Sequence, residues 1–315
     1  EKWLHDASEM LGKLCMAIKE RPEDDILFGV QIACGIYGEW HQWGTDVSRP
    51  MREKFKRFLL EKYKSQDDLQ KAWNDKSVTF ETAAFHPETF QAGDEGFFRN
   101  PELSRRISDA QECVQMTAPE AILTFAKVIK RCLPEKVVGT FYGYYFGVGE
   151  DNKPIGGHLK PEMLYRAKNE IDFLCGPFCY LKNRDASGVP MQRGMLESAR
   201  LHGMLWLTEM DQHPECVPEL GGDVSETDKT IATLRRNVLQ PLCMGQGLWY
   251  YDHRVIPKLA EADPRFSDLS SIYRKAGWWE SESLMCEIKK LQDLALRMTN
   301  TPYESSADVL LVYDT

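Results

Sequence analysis

The sequence has no apolar run approaching the roughly 20 residues that span a bilayer, and no basic stretch near its start leads into an apolar one as a secretory signal would. A membrane role is not expected. It also lacks a basic stripe: Lys and Arg are dispersed and the net charge is -9, which argues against a nucleic-acid surface. No two cysteines show the two-residue spacing of a zinc knuckle, and nothing beside Cys175 and Cys179 completes a four-ligand set, so no metal is expected. The nine cysteines are odd in number and mostly sit in apolar surroundings, the pattern of free thiols in a reducing compartment, which favours the cytoplasm. Repeats and low-complexity tracts are absent too.

What is present is a chain of 315 residues with 43% hydrophobic content, enough for one large domain or two small ones, with a sizeable core. Helical periodicity runs over 2–19, 51–63, 66–73, 102–133, 159–168, 227–239 and 284–298, with Pro119 as a break or first-turn residue in the longest of these. An irregular stretch over 77–100, rich in Phe, reads as a loop that packs on something. Between the helices lie apolar runs of strand character: 28–39, 137–146, 171–177, 204–207 and 247–252. Five strands alternating with helices predict parallel pairing and an α/β layered fold. A further strand-like run, 306–314, follows the last helix and reads as the opening of a second domain.

Two of the strand runs end in carboxylates. Met204-Leu205-Trp206-Leu207 delivers Glu209 and Asp211, and Phe28 through Gly38 delivers Glu39 among Tyr37, Trp40, His41 and Trp43. A strand-end Glu is commonly a solvated terminus, but a pair of them beside aromatics has a specific use. Glycosidic bond cleavage needs one carboxylic acid to protonate the leaving oxygen and one carboxylate to attack the sugar carbon or to activate water. Sugars offer apolar C–H faces that stack on Trp or Tyr. Tyr142 and Tyr144 alternate along the second strand run and so share a face; core packing is an equal alternative for them. Trp249 and Asp252 close the fifth run, and Arg184 and Arg193 lie in a polar loop. His158 and His202 read as structural histidines.

With these elements in place, the chain resembles the clan A glycosidases, in particular the β-galactosidase-like barrels of glycoside hydrolase family 42. The likeness is carried by Ala33-Cys34-Gly35-Ile36-Tyr37-Gly38-Glu39-Trp40, by 46–73, by Gly139-Thr140-Phe141-Tyr142-Gly143-Tyr144, by 197–209 and by 247–252. The resemblance implies a (β/α)8 TIM barrel over 1–300, of which strands four to eight are present, followed at 306–315 by the first strand of a second α/β domain. It implies Glu39 as acid/base after barrel strand four and Glu209 as nucleophile after strand seven. Trp40, Trp43, Tyr142, Tyr144, Arg184, Asp211, Trp249 and Asp252 become the substrate-binding residues. No cofactor is implied. The expected partner is a carbohydrate, a β-galactoside being the first choice, and the family's following domain implies a homo-oligomer, a trimer. One position departs: the clan places Asn before its acid/base Glu, and here that residue is Gly38. The expectation is therefore a retaining β-glycosidase, with a non-catalytic carbohydrate-binding or structural relative as the alternative.

Overall fold

The computed structural model describes residues 2–35, 37–42, 46–84, 100–146, 156–180, 186–212, 216, 223–251 and 281–312. The chain divides into two compact units, Glu1–Phe141 with Ile155–Ile171 and Tyr142–Pro154 with Asp172–Thr315.

In the first unit, helix α1 (Lys2–Lys19) leads through a short 3-10 turn to strand β1 (Gly29–Ile32). Helices α2 (Arg49–Tyr63), α3 (Gln66–Trp73), α4 (Pro101–Gln115) and α5 (Thr117–Cys132) follow, then strand β2 (Val137–Phe141) and helix α6 (Pro161–Tyr165). β1 and β2 pair in parallel, Gly29 opposite Val137 through Ile32 opposite Thr140. α5 buries Ile122, Phe125, Ala126 and Ile129, the i, i+3, i+4, i+7 stripe of a helix with one apolar face. α1 packs on α5, with Trp3 edge-on to Phe125 at 5.9 Å.

Helices α2 to α4 build a core of their own around Phe55, Leu59, Leu69, Ala110 and Cys113. Their ends are chemically marked. The Ser48 hydroxyl caps α2 and the Ser65 hydroxyl caps α3, each accepting a first-turn amide, while Asn74 ends α3 in the left-handed region. Asp109 is buried within this cluster, where it accepts from Tyr63 Oη (2.6 Å), Trp73 Nε1 (2.7 Å) and Lys62 Nζ (2.9 Å). A buried carboxylate is tolerated only when so satisfied.

The second unit holds β3 (Phe173–Pro177), α7 (Leu196–Leu201), β4 (Leu205–Met210), α8 (Thr227–Cys243), β5 (Gly247–Tyr250) and α9 (Glu282–Thr299). β4 runs parallel to both neighbours, with Glu209 opposite Pro177 on β3 and Trp249 on β5. Met210 joins Leu234 and Val238 of α8 and Leu284, Ile288 and Leu291 of α9 in one apolar cluster. Across it Arg235 clamps Glu287 through two bonds, Nε to Oε1 at 2.6 Å and Nη2 to Oε2 at 2.9 Å.

The α/β class and the parallel pairing match the sequence expectation. Several bounds differ. β1 stops at Ile32 rather than running to Glu39, and β2 stops at Phe141 rather than Phe146. Residues 306–312 form no strand; Val309, Leu310, Leu311 and Val312 are each at least 78% exposed. The long helical pattern over 102–133 is two helices meeting at Met116, and Pro119 sits in the first turn of α5, where its missing N–H costs nothing.

Candidate functional site

Glu39 is held by a pinched turn, not by a strand end. Beyond β1 the Trp40 amide donates to Cys34 O (2.8 Å), Cys34 N donates to Gly38 O (3.3 Å), and Gly38 N donates to Gly35 O (3.4 Å). Four residues in this turn have positive φ: Gly35, Tyr37, Gly38 and Trp40. For the two non-glycine residues that conformation costs about 1–2 kcal/mol each, so something must compensate. For Trp40 the compensation is its indole, which is buried and tilted against Phe125 at 6.3 Å. Its Nε1 donates to Thr140 Oγ1 (2.9 Å), and the Thr140 hydroxyl donates in turn to Ile32 O (2.9 Å).

A second segment, Gly156-Gly157-His158, closes on the same turn. Gln42 N donates to Gly156 O at 2.9 Å, and His158 Nε2 lies 2.8 Å from Glu39 O. A carbonyl only accepts, so the Nε2 of His158 carries the proton. Gln115, at the end of α4, fixes this segment by accepting from Gly157 N (2.7 Å) and Leu159 N (3.1 Å) through Oε1. Both glycines are required for packing: a Cβ on Gly156 would lie 2.4 Å from Gln42 O, and one on Gly157 would lie 2.9 Å from Trp40 O at a φ of +95°. Within this frame the Glu39 carboxylate is largely enclosed, and its Oε2 lies 3.2 Å from His41 Nε2; the imidazole is only 6% exposed. The His41 and His158 rings meet edge-on at 5.6 Å.

Glu209 is held differently. Along β4 burial alternates, Trp206, Thr208 and Met210 being enclosed while Leu207 and Glu209, on the other face, are half-buried. The carboxylate is flanked by the Trp249 indole, whose Nε1 donates to Oε1 across a long 3.4 Å. Trp206 fixes the strand from behind: a Cβ on Gly194 would fall 2.0 Å from its ring. Just past the strand, Asp211 is buried and accepts from Tyr180 Oη at 3.2 Å. The buried Arg193 guanidinium stacks over Tyr144 (4.8 Å) and Tyr180 (4.2 Å), a cation–π arrangement. Burial pushes the Tyr250 phenol up to about 12.

Several expected sugar-binding side chains are corrected by these placements. Trp40 is an interior anchor and not an aromatic wall, because its backbone turn needs the indole inside. Tyr142 and Tyr144 are fully buried, and they do not share a strand face: β2 has ended, and Gly143 between them has φ +90°. Trp43, Arg184 and Asp252 lie outside the described residues. Glu209 and Trp249 are brought together, as are Asp211 and Tyr180. Gln115 and the Gly156-Gly157 pair have no local signal in the sequence; His41 is expected beside Glu39 without a role, and His158, expected as a structural histidine, binds the Glu39 carbonyl. Among the described residues no group of three or more His, Cys, Asp and Glu side chains is arranged to hold a metal ion.

No family model matches the chain, and no curated protein matches it in sequence. In three dimensions it is similar to the catalytic domain of β-amylase from Paenibacillus polymyxa, at 12% identity and a TM-score of 0.54, over 77% of this chain and 62% of that one. It is also similar to the β-galactosidase from the psychrophilic Marinomonas ef1, at 11% identity and a TM-score of 0.54, over 96% of this chain and 45% of that one. Both neighbours are glycoside hydrolases, and the likeness is one of fold. The chain spans less than two thirds of the length of either.

Proposed function

We propose that the protein is a retaining β-glycoside hydrolase, built on a (β/α)8 barrel whose fourth to eighth strands are β1 to β5. The observation that carries this reading is Glu209, a half-buried carboxylate on the last residues of a parallel strand, aligned with Trp249 on the neighbouring strand. The C-terminal ends of parallel strands are where barrel enzymes place their chemistry, and the solved structures of similar fold are glycoside hydrolases.

In the proposed reaction a Glu209 carboxylate oxygen attacks the anomeric carbon while Glu39 passes its proton to the departing glycosidic oxygen. Water then attacks the same carbon, Glu39 takes its proton, and the bond to Glu209 breaks, so that configuration is retained through two inversions. The regular strand suits a nucleophile whose trajectory must not wander. A β-galactoside is the first substrate to test.

The test is trapping. A 2-deoxy-2-fluoro β-glycoside with a good leaving group forms its adduct faster than it loses it, and peptide mapping should find the adduct on Glu209. An adduct on Asp211 or Asp252 would remove Glu209 from the role. Inversion at the anomeric carbon would remove double displacement. Sugar binding without turnover on any aryl glycoside would point to a carbohydrate-binding relative instead.

A further inference from the structure

We propose that Arg193 is the receptor for an oxyanion carried by the sugar, so that the site beside Glu209 takes an acidic glycan, one bearing a carboxylate or a sulfate ester. The substrate class rests on the reading of Glu209 as the nucleophile; the anion site itself rests on Arg193 and its surroundings.

Arg193 is 2% exposed, yet its Nε has no hydrogen-bond partner among the described residues, and no ion pair joins the guanidinium to a described carboxylate. Two tyrosine rings lie against it, Tyr144 at 4.8 Å and Tyr180 at 4.2 Å. Ring faces offset part of the charge, but they offer no lone pair to the five N–H donors of an arginine. A guanidinium held out of water with its donors unused is costly unless an acceptor comes to it. Its buried neighbours are committed elsewhere. Gln192 accepts from Thr208 Oγ1 and donates to Gln240 Oε1, each at 3.1 Å, and Asp211, the acid just past β4, accepts from Tyr180 Oη. Nor is the arginine able to move away. Its carbonyl accepts from Tyr145 N (2.8 Å) and Phe146 N (3.1 Å), and Gly194 after it is wedged against the Trp206 ring, where a Cβ would fall 2.0 Å away. Tyr180 follows the end of β3 and Asp211 the end of β4, so this fixed cation stands at the C-terminal ends of the two strands that hold Pro177 and Glu209 in register. The rigid fork of a guanidinium matches a carboxylate or a sulfate, which accept two of its N–H groups at once, better than it matches a neutral hydroxyl.

The test compares sugars that differ at one carbon. Calorimetric titration of the full-length protein with methyl β-galactoside, methyl β-galacturonide and methyl β-galactoside 6-sulfate should show one charged sugar bound about tenfold or more tighter than the neutral one, the effect of a hydrogen bond to a charged group. Which of the two it is identifies the anion. Methyl β-glucoside and methyl β-glucuronide serve as a second pair. Charged sugars bound no tighter than their neutral counterparts in both series would overturn the proposal. Arg193→Met, close in length and uncharged, should abolish the preference and leave the neutral sugar within about threefold of its wild-type affinity. Arg193→Lys keeps the charge without the fork and should retain part of it. A preference that survives in Arg193→Met would show an arginine held for packing and overturn the site. Should that variant fail to fold, the preference of the wild type and its reduction in Arg193→Lys decide. Anion-selective binding with no hydrolysis of any aryl glycoside would sink the glycosidase reading and uphold the site. Hydrolysis of neutral and charged aryl β-glycosides at equal kcat/KM would do the reverse.

Discussion

The two glutamates are held by opposite means. Glu209 sits on a regular strand, where register with β3 and β5 sets its place and Trp249, which donates to it, is a cross-strand neighbour. Glu39 sits in a turn with four positive φ values, supported by residues that arrive from far along the chain: Thr140, Gly156 and His158. A strand fixes a side chain through a repeating pattern that each neighbour reinforces. A turn of this kind has no repeat, so its shape depends on a few contacts, each of which matters alone. The loop-held carboxylate should therefore be the more fragile of the two.

The largest expected effect breaks the loop directly. Gly157→Ala places a methyl group 2.9 Å from Trp40 O at a φ of +95°. The strain amounts to about 1–3 kcal/mol, enough to displace His158 from Glu39 O and to lower both the melting temperature and turnover. The trapping of a fluoro-glycoside on Glu209 should be affected far less than turnover of an unactivated glycoside. A Gly157→Ala protein with unchanged activity on both substrate types would show that the turn does not depend on this segment.

The strand side should instead respond to pH. Arg235 holds the Glu287 carboxyl below its ordinary value through its hydrogen bonds, with Lys290 adding to it and burial opposing. A carboxylate whose folded pKa is depressed contributes stability that is present above its ordinary pKa near 4.5 and is lost as pH falls through the lowered value. Glu287→Gln should accordingly melt about 2–4 °C lower than the wild type near pH 7. Differential calorimetry should show that gap closing at acid pH, below the usual carboxylate range. A gap that stays constant down to pH 3 would mean the clamp between α8 and α9 acts by packing rather than by charge.

The smallest effect sharpens the contrast. Trp249→Phe keeps the ring but removes a 3.4 Å donor from Glu209. A bond that long contributes no more than about 1 kcal/mol, so kcat should fall only a few-fold. A hundredfold fall would mean that the strand alone does not fix Glu209.

The same contrast explains what could be read from the sequence. The bounds of α1 and α3 follow from local pattern and caps, and Glu209 falls at the end of β4 because period-2 alternation is a local property. The turn at 34–42 was misread as the continuation of a strand because Cys34 and Ile36 are apolar and nothing nearby in sequence announces the bends. They are imposed by Thr140, 100 residues from Trp40, and by His158, 119 residues from Glu39. The burial of Tyr142 and Tyr144 was hidden likewise: alternation suggested a shared face, and Gly143 removed it. Helix α7, only six residues long, is too short for a periodic signal.

The division of labour between the two carboxylates is tested most directly by Glu39→Ala assayed on two substrates with azide present. The account expects kcat/KM on a 2,4-dinitrophenyl β-glycoside to survive nearly intact and that on an alkyl β-glycoside to fall by about 10²–10⁴. Azide, which needs no general base, should restore turnover of the first and yield a β-glycosyl azide. Equal loss on both substrates, with no azide product, would contradict the assignment of Glu39 as the acid/base.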